Sequence, residues 1–222
     1  MARRGDHSLE QIKEMILIAA EELVVEKGLS QLRVRNIAVK IGYTVGSIYM
    51  VFDSMTDLIL HIKGRALDTI SEQMDGITAT NAELGLEELA AVYIRFASQN
   101  LNIWSMVFEH RLPEDIAIPV WYQQKVNNLF GKFEKQFSFL FPESSPAQKK
   151  QAALTFLGGV HGICVLMLTT PVTNLNSFDF EESIKLLVQR ILHRTQGNAM
   201  SEILRPDSYG VGKSPVRTVA LP

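Results

Sequence analysis

The chain is short of several things, and each shortage narrows what it can be. Among 222 residues the one cysteine is Cys164, which excludes an internal disulfide and a cysteine-based zinc site. His161 and Cys164 stand three residues apart, but two ligands do not make a metal site. No nucleophile–base pair, suitably spaced carboxylate pair or phosphate-binding glycine loop is written in the chain, so no catalytic residue, metal or cofactor is expected, and no enzyme. No uninterrupted apolar run has the length of a membrane span; the longest, 157–168, is too short, so no membrane partner is expected. Residues 1–7 lack the apolar core of a signal peptide, which points to a cytoplasmic location. Basic residues are not in excess either. Lys and Arg number 22 against 24 Asp and Glu, for a formal net charge of −2. That global balance is not one that favours nucleic acid. No internal repeat is visible.

What the chain does have is apolar content and helical periodicity. Hydrophobic residues make up 46% of it, and the mean hydropathy is +0.07. That supports a substantial core in one large or two small domains. The most informative stretch is 32–52. Val34, Ile37, Ala38 and Ile41 fall at the i, i+3, i+4, i+7 spacing of a helix with one buried face. Gly42 follows, where a positive φ stops a helix. Thr44 can then cap a second short helix whose buried side is Ile48, Val51 and Phe52. Helix, glycine-containing turn, short helix is the helix-turn-helix design, whose second helix fits a DNA major groove.

Upstream, the spacing predicts a first helix over 8–27, with Ser8 and Gln11 as a capping box. Ser54 and Asp57 repeat that spacing and open a fourth helix to 74. A polar loop over 75–85 leads to helices at 86–99, 103–109, 116–139 and 146–169, the last opened by Pro146 and stopped by Pro171. Asp179 caps a ninth helix ending near 194. The fold class is therefore all-α: a three-helix head plus an all-helical body, about nine helices in total. The expected division is 1–53 for the arm and head, 54–195 for the body, and a disordered tail over 196–222.

Several fixed spacings occur together in 12–62: Ile12, Ile16, Ala19, Ala20 and Leu23; then Val34-Arg35-x-Ile37-Ala38, Gly42, Gly46-Ser47-Ile48-Tyr49, and Phe52-x-Ser54-x-x-Asp57-Leu58. This stretch resembles the N-terminal domain of the tetracycline-repressor (TetR) family of transcriptional regulators. Residues 157–168, with His161-Gly162 inside an apolar helix, resemble the ligand-binding domain of one branch of that family. The resemblance implies a homodimeric regulator, most readily a repressor, that binds a palindromic double-stranded DNA operator and is released by a small, mostly apolar effector. It also implies that the eighth and ninth helices pair with their twins in a four-helix bundle.

Carried onto this sequence, the implied DNA-contacting residues are Arg33, Arg35, Thr44, Val45, Gly46, Ser47, Tyr49 and Met50. Hydroxyls and guanidinium groups suit phosphate or base edges, and Val45 and Met50 suit thymine methyls. Arg3 and Arg4 can form an arm toward the duplex or a solvated tail, and Lys40 offers a further charge. Relatives usually carry Lys or Arg where this chain has Val45, Lys where it has Met55, and Ser or Thr where it has Arg33. Cavity candidates are Trp104, Phe108, Trp121, Tyr122, His161 and Val165, with Phe130 and Leu168 beside them. Aromatics spaced on helices are more often plain core than cavity wall. His161 reads as a satisfied core group, a ligand anchor or part of a dimer seam. His110 lies in the connection between the sixth and seventh helices; His7 and His61 read as surface groups. Gly158, Gly159 and Gly162 in one helix imply crowding by another helix or a ligand.

Overall fold

Short-range capping chemistry starts and stops the N-terminal helices of the computed structural model, which describes residues 7–113, 116–169 and 179–197. Arg3, Arg4, Pro171 and the tail beyond 197 lie outside the described residues. Helix α1 spans Leu9–Lys27. Its Ser8 cap accepts the Gln11 amide while Gln11 Oε1 accepts the Ser8 N–H, a reciprocal box that satisfies two end donors. A one-turn 3-10 helix, Leu29–Gln31, follows and is not predicted by the pattern. Helix α2 is Val34–Ile41. Its cap, Arg33, offers no side-chain acceptor, and Gly42 ends it at φ 72°. Thr44 caps α3, Val45–Tyr49, by accepting the Ser47 amide. Helix α3 is only 5 residues long, so Val51 and Phe52 lie just past its end. Phe52 and Ile48 are nonetheless buried beneath α1 and α2 in the same core.

Helix α4, Met55–Asp75, is 21 residues long and carries the chain from head to body. Ser54 caps it as expected, accepting the Asp57 amide. The Asp57 carboxylate, however, accepts the Asp53 N–H rather than the Ser54 N–H. Helix α5 runs Ala82–Gln99, four residues longer at its start than periodicity implies. Asn81 caps it by accepting the Leu84 amide, which draws Gly85 into the helix. Helix α6 is Leu101–Phe108. Helix α7, Val120–Leu140, begins after Pro119 rather than at 116, because Pro119 stands at the cap in an extended conformation. Helices α8, Pro146–Thr169, and α9, Phe180–Gly197, complete nine α-helices, and no strand occurs among the described residues. Ser145 and Gln148 form a second capping box at the start of α8.

The body core is aromatic and aliphatic. Phe133, Phe137 and Phe156 interlock between α7 and α8, and Leu89, Val92, Tyr93 and Phe96 form the buried face of α5. Helix α8 is apolar on average over more of its length than the run 157–168. Its apolar character extends upstream through Ala152, Ala153 and Leu154, so 23 residues, Pro146–Leu168, are long and apolar enough to cross a membrane by length and composition. The same helix buries Phe156, Val160 and Cys164 in the body core and leaves Leu154 and Leu166 exposed.

Candidate functional site

The outward surface of the motif is built by two caps. Gly42 and Thr44 turn the chain so that Ile48 points into the core while Tyr49 and Met50 point out, at 50% and 72% exposure. Thr44 and Gly46 are exposed, and Ser47 is half-buried. The Thr44 and Ser47 hydroxyls share a 3.0 Å hydrogen bond, which fixes their orientation at the start of α3. Val45 is half-buried and packs on the core, as does Met55. Arg33 and Arg35 are exposed at the start of α2, and no carboxylate lies within 4.0 Å of either among the described residues.

Lys40 does not behave as expected. Its ammonium pairs with Glu22 at 3.0 Å and lies 4.0 Å from Glu26, both on α1. The hydrogen bond from Lys40 to Glu22 raises its pKa. An exposed pair of this kind adds little stability, but it removes Lys40 as an uncommitted charge. Two further acids of α1 are also engaged. Arg65 of α4 holds Glu14 at 2.8 Å and Glu21 at 2.8 Å. Periodicity alone does not show these pairings, because each partner lies on a different helix.

Two residues at this surface carry no mark in the sequence pattern. The His7 Nδ1 and the Tyr43 hydroxyl share a hydrogen bond of 2.8 Å, tying the residue before the α1 cap to the turn. With Leu9, Ile12, Thr44, Gly46, Ser47 and Met50 they line a cavity of about 400 Å³ beside α3. His61 is not a surface group either. It is wedged between Phe52 of the head, at 5.2 Å, and Trp121 of α7, at 4.8 Å, with its Nδ1 3.3 Å from the Asp57 carboxylate.

The interior candidates divide into two groups. Trp104, Phe108 and His161 come together with Tyr93, which periodicity places only on a buried face. The Tyr93 hydroxyl and His161 Nδ1 share a 2.9 Å hydrogen bond, and the Trp104 and His161 rings lie 5.1 Å apart. Burial holds the His161 pKa below its ordinary value, against the opposing pull of Glu109, so the imidazole is neutral at pH 7. Burial likewise drives the Tyr93 phenol upward. His161 is thus half-buried, neutral and hydrogen-bonded to Tyr93. Trp121 and Tyr122 belong elsewhere. Trp121 lies over α4, where a Cβ on Gly64 would come within 2.9 Å of the indole. Among the described residues no ring contact joins this group to the His161 group. Phe130, Val165 and Leu168 are half-buried against the core. No group of three or more His, Cys, Asp or Glu side chains that could hold a metal occurs among the described residues.

Residues 16–62 match the sequence pattern described as "Bacterial regulatory proteins, tetR family". The head is a TetR-family helix-turn-helix domain. The HTH-type transcriptional repressor BepR of Brucella suis biovar 1 (strain 1330) is 38% identical over 64 residues, 29% of this chain and 31% of that protein. The chain therefore spans about a third of the length of this curated relative. Solved structures extend the fold likeness beyond the TetR-family head. A protein of unknown function from Rhodococcus sp. RHA1 superposes with a TM-score of 0.68 at 14% identity, over 87% of this chain and 98% of that one. A tetR-family transcriptional regulator from Streptomyces coelicolor gives 0.64 at 14% identity, over 89% and 88%. At such identities the body is alike in fold only.

Proposed function

We propose that the chain is a cytoplasmic, ligand-responsive transcriptional regulator, a repressor that binds a palindromic operator as a homodimer and releases it when a small, mostly apolar molecule binds the body. The observation that carries this reading is the exposed surface Thr44–Met50 on a doubly capped motif, flanked by uncommitted Arg33 and Arg35. In this reading Arg33, Arg35, Thr44, Ser47 and Tyr49 contact phosphate or base edges, Gly46 admits close approach, and Val45 and Met50 meet thymine methyls.

Dimerisation through α8 and α9 is supported by the open side of α8. Leu154 and Leu166 are exposed, and nothing lies within 4 Å of a Cβ on Gly158 or Gly162. Gly159, by contrast, is already crowded by Leu187 of α9 at 2.9 Å. A self-complementary stripe of this kind suits an isologous contact that places two heads on half-sites about 34 Å apart. The 1–53 segment then reads DNA and 54–195 binds ligand and partner. His161-Gly162 fits the branch resemblance, with the aromatic group around His161, or the one around Trp121, as the effector wall. The test is a gel shift with a palindrome from beside its own gene. Equal affinity for a scrambled duplex at physiological salt would sink the proposal.

A second reading keeps the fold but assigns the work mainly to ligand or protein binding, with weakened DNA contact. It is favoured by Val45 and Met55, half-buried apolar residues where relatives carry charge, and by the engagement of Lys40 with Glu22.

A further inference from the structure

Lys63, on α4, is the one buried charged residue among the described residues, at 2% exposure. Its ammonium donates to the His110 carbonyl at 2.9 Å, across 47 residues of chain. No carboxylate lies within 4.0 Å of it among the described residues. Other cations of the bundle are treated differently. Arg65 holds Glu14 and Glu21, Lys125 reaches Asp68, and Lys132 reaches Asp75. Buried charges in proteins are paired, because an ammonium taken out of water without a counter-charge is strongly disfavoured. Here desolvation pulls the Lys63 pKa down to about 8.

A second unmet group stands beside it. His110 Nδ1 is buried and has no hydrogen-bond partner. Burial, and then the charge of Lys63, hold this imidazole below its ordinary value, so it is neutral, and in its Nδ1–H tautomer the unmet nitrogen has a proton to give. Ile59 and Leu67, four residues to either side of Lys63 on α4, and Phe108 and Leu112, two residues to either side of His110, pack on the apolar core.

We infer that Lys63 and His110 form an anion-receiving site that takes the carboxylate of an otherwise apolar effector. One ammonium and one neutral donor match a single negative charge; a phosphate dianion would remain half uncompensated. The ammonium has three N–H groups and gives one to the His110 carbonyl, so a carboxylate drawn to Lys63 Nζ binds beside that carbonyl and repels its oxygen. Binding therefore changes how α4, which carries the head, is held by the α6–α7 connection. The inference rests on the ligand-responsive reading above, and it names the effector's chemical class.

The experiment uses the full chain at pH 7 and compares benzoate, 4-phenylbutyrate and decanoate with their primary amides by calorimetry. At least one acid should bind ten-fold or more tightly than its amide. Lys63→Met and Lys63→Gln should both erase that preference. Sodium chloride and acetate at matched ionic strength should give no comparable stabilisation. Lys63→Met removes a buried charge that has no counter-charge, at the loss of one hydrogen bond to the His110 carbonyl, so it should melt no lower than the parent; the acid–amide comparison on the unaltered chain needs no variant in any case. Three results would overturn the inference: no acid preferred over its amide, a preference that survives both substitutions, or stabilisation by chloride equal to that of the acids. A Lys63-dependent preference without any effect on operator binding would leave the site standing and defeat the regulator reading. Operator release by neutral compounds, unchanged in Lys63→Met, would do the reverse.

Discussion

Arg33 and Arg35 stand in water at the start of α2, whereas Lys63 is shut between α4 and the α6–α7 connection with a backbone carbonyl as its acceptor. The two regions hold the same sign of charge under opposite physics. In water a guanidinium attracts a polyanion over about a Debye length, is screened by salt, and contributes almost nothing to the stability of its own fold. Inside, an ammonium is hardly screened, destabilises its own fold, and becomes selective for whatever anion can relieve it. The head thus commits little folding energy to recognition, while the junction holds an unfavourable interaction that a ligand can remove.

The widest test of this contrast is to truncate one large side chain on each side of it. Trp104 is fully buried among Tyr93, Phe108 and His161. Trp104→Ala should cost ~3–5 kcal/mol in urea unfolding, whereas Met50→Ala, at an exposed site, should stay within ~0.5 kcal/mol while altering DNA affinity. Comparable losses from the two would mean that the head surface is structural rather than a recognition face.

Next in size is the pH dependence of the buried ammonium. In the unfolded chain Lys63 titrates near 10.5, in the folded chain near 8. Below the lower value both states carry the proton, and the folded state bears the full cost. Between the two, only the unfolded state holds the proton, so raising the pH favours folding; above 10.5 the cost is gone. His110, the imidazole facing Lys63, is neutral throughout that window. Relative to Lys63→Met, the parent chain should gain ~3 kcal/mol between the two values, followed by chemical denaturation. A difference that does not change with pH would show that the ammonium is already paired.

How much of this can be read from the residues in order depends on the range of the forces involved. Ser8 with Gln11, Gly42, Thr44 and Ser54 act within four residues, and each cap lies where the linear pattern puts it. The early start of α5 escapes that pattern because Asn81 caps it from inside a polar, glycine-containing stretch that reads as loop. Partners on other helices leave no such trace. Nothing near Lys40 in sequence announces Glu22, and nothing near His61 announces Trp121. Lys63 does leave a sign: it sits four residues from both Ile59 and Leu67, on the buried face of α4. A lysine on an apolar stripe is the pattern that points to a buried charge.

A third, smaller effect separates crowding within the protomer from crowding between protomers. Gly158→Ala and Gly162→Ala introduce a Cβ that meets nothing within 4 Å. Each should raise protomer stability by up to ~1 kcal/mol through helix propensity. If α8 is the seam, the same changes should weaken the dimer by about ten-fold in sedimentation experiments, ~1.4 kcal/mol. A more stable protomer with undiminished self-association would remove α8 from the interface.

The smallest expected change sharpens the exterior side of the comparison. Val45→Lys and Met55→Lys would add charge at positions that now pack half-buried on the core, so each new side chain must lay its stem along apolar surface and send its ammonium outward. Every additional phosphate that an ammonium neutralises should steepen the salt dependence of operator binding by ~0.9 in the log–log slope. In a working repressor the pair should alter affinity modestly at physiological salt. In a protein with degraded DNA contact, the same pair should convert undetectable binding into a footprint. Fluorescence anisotropy across a salt series distinguishes the two, because the first case changes a slope that already exists and the second creates one.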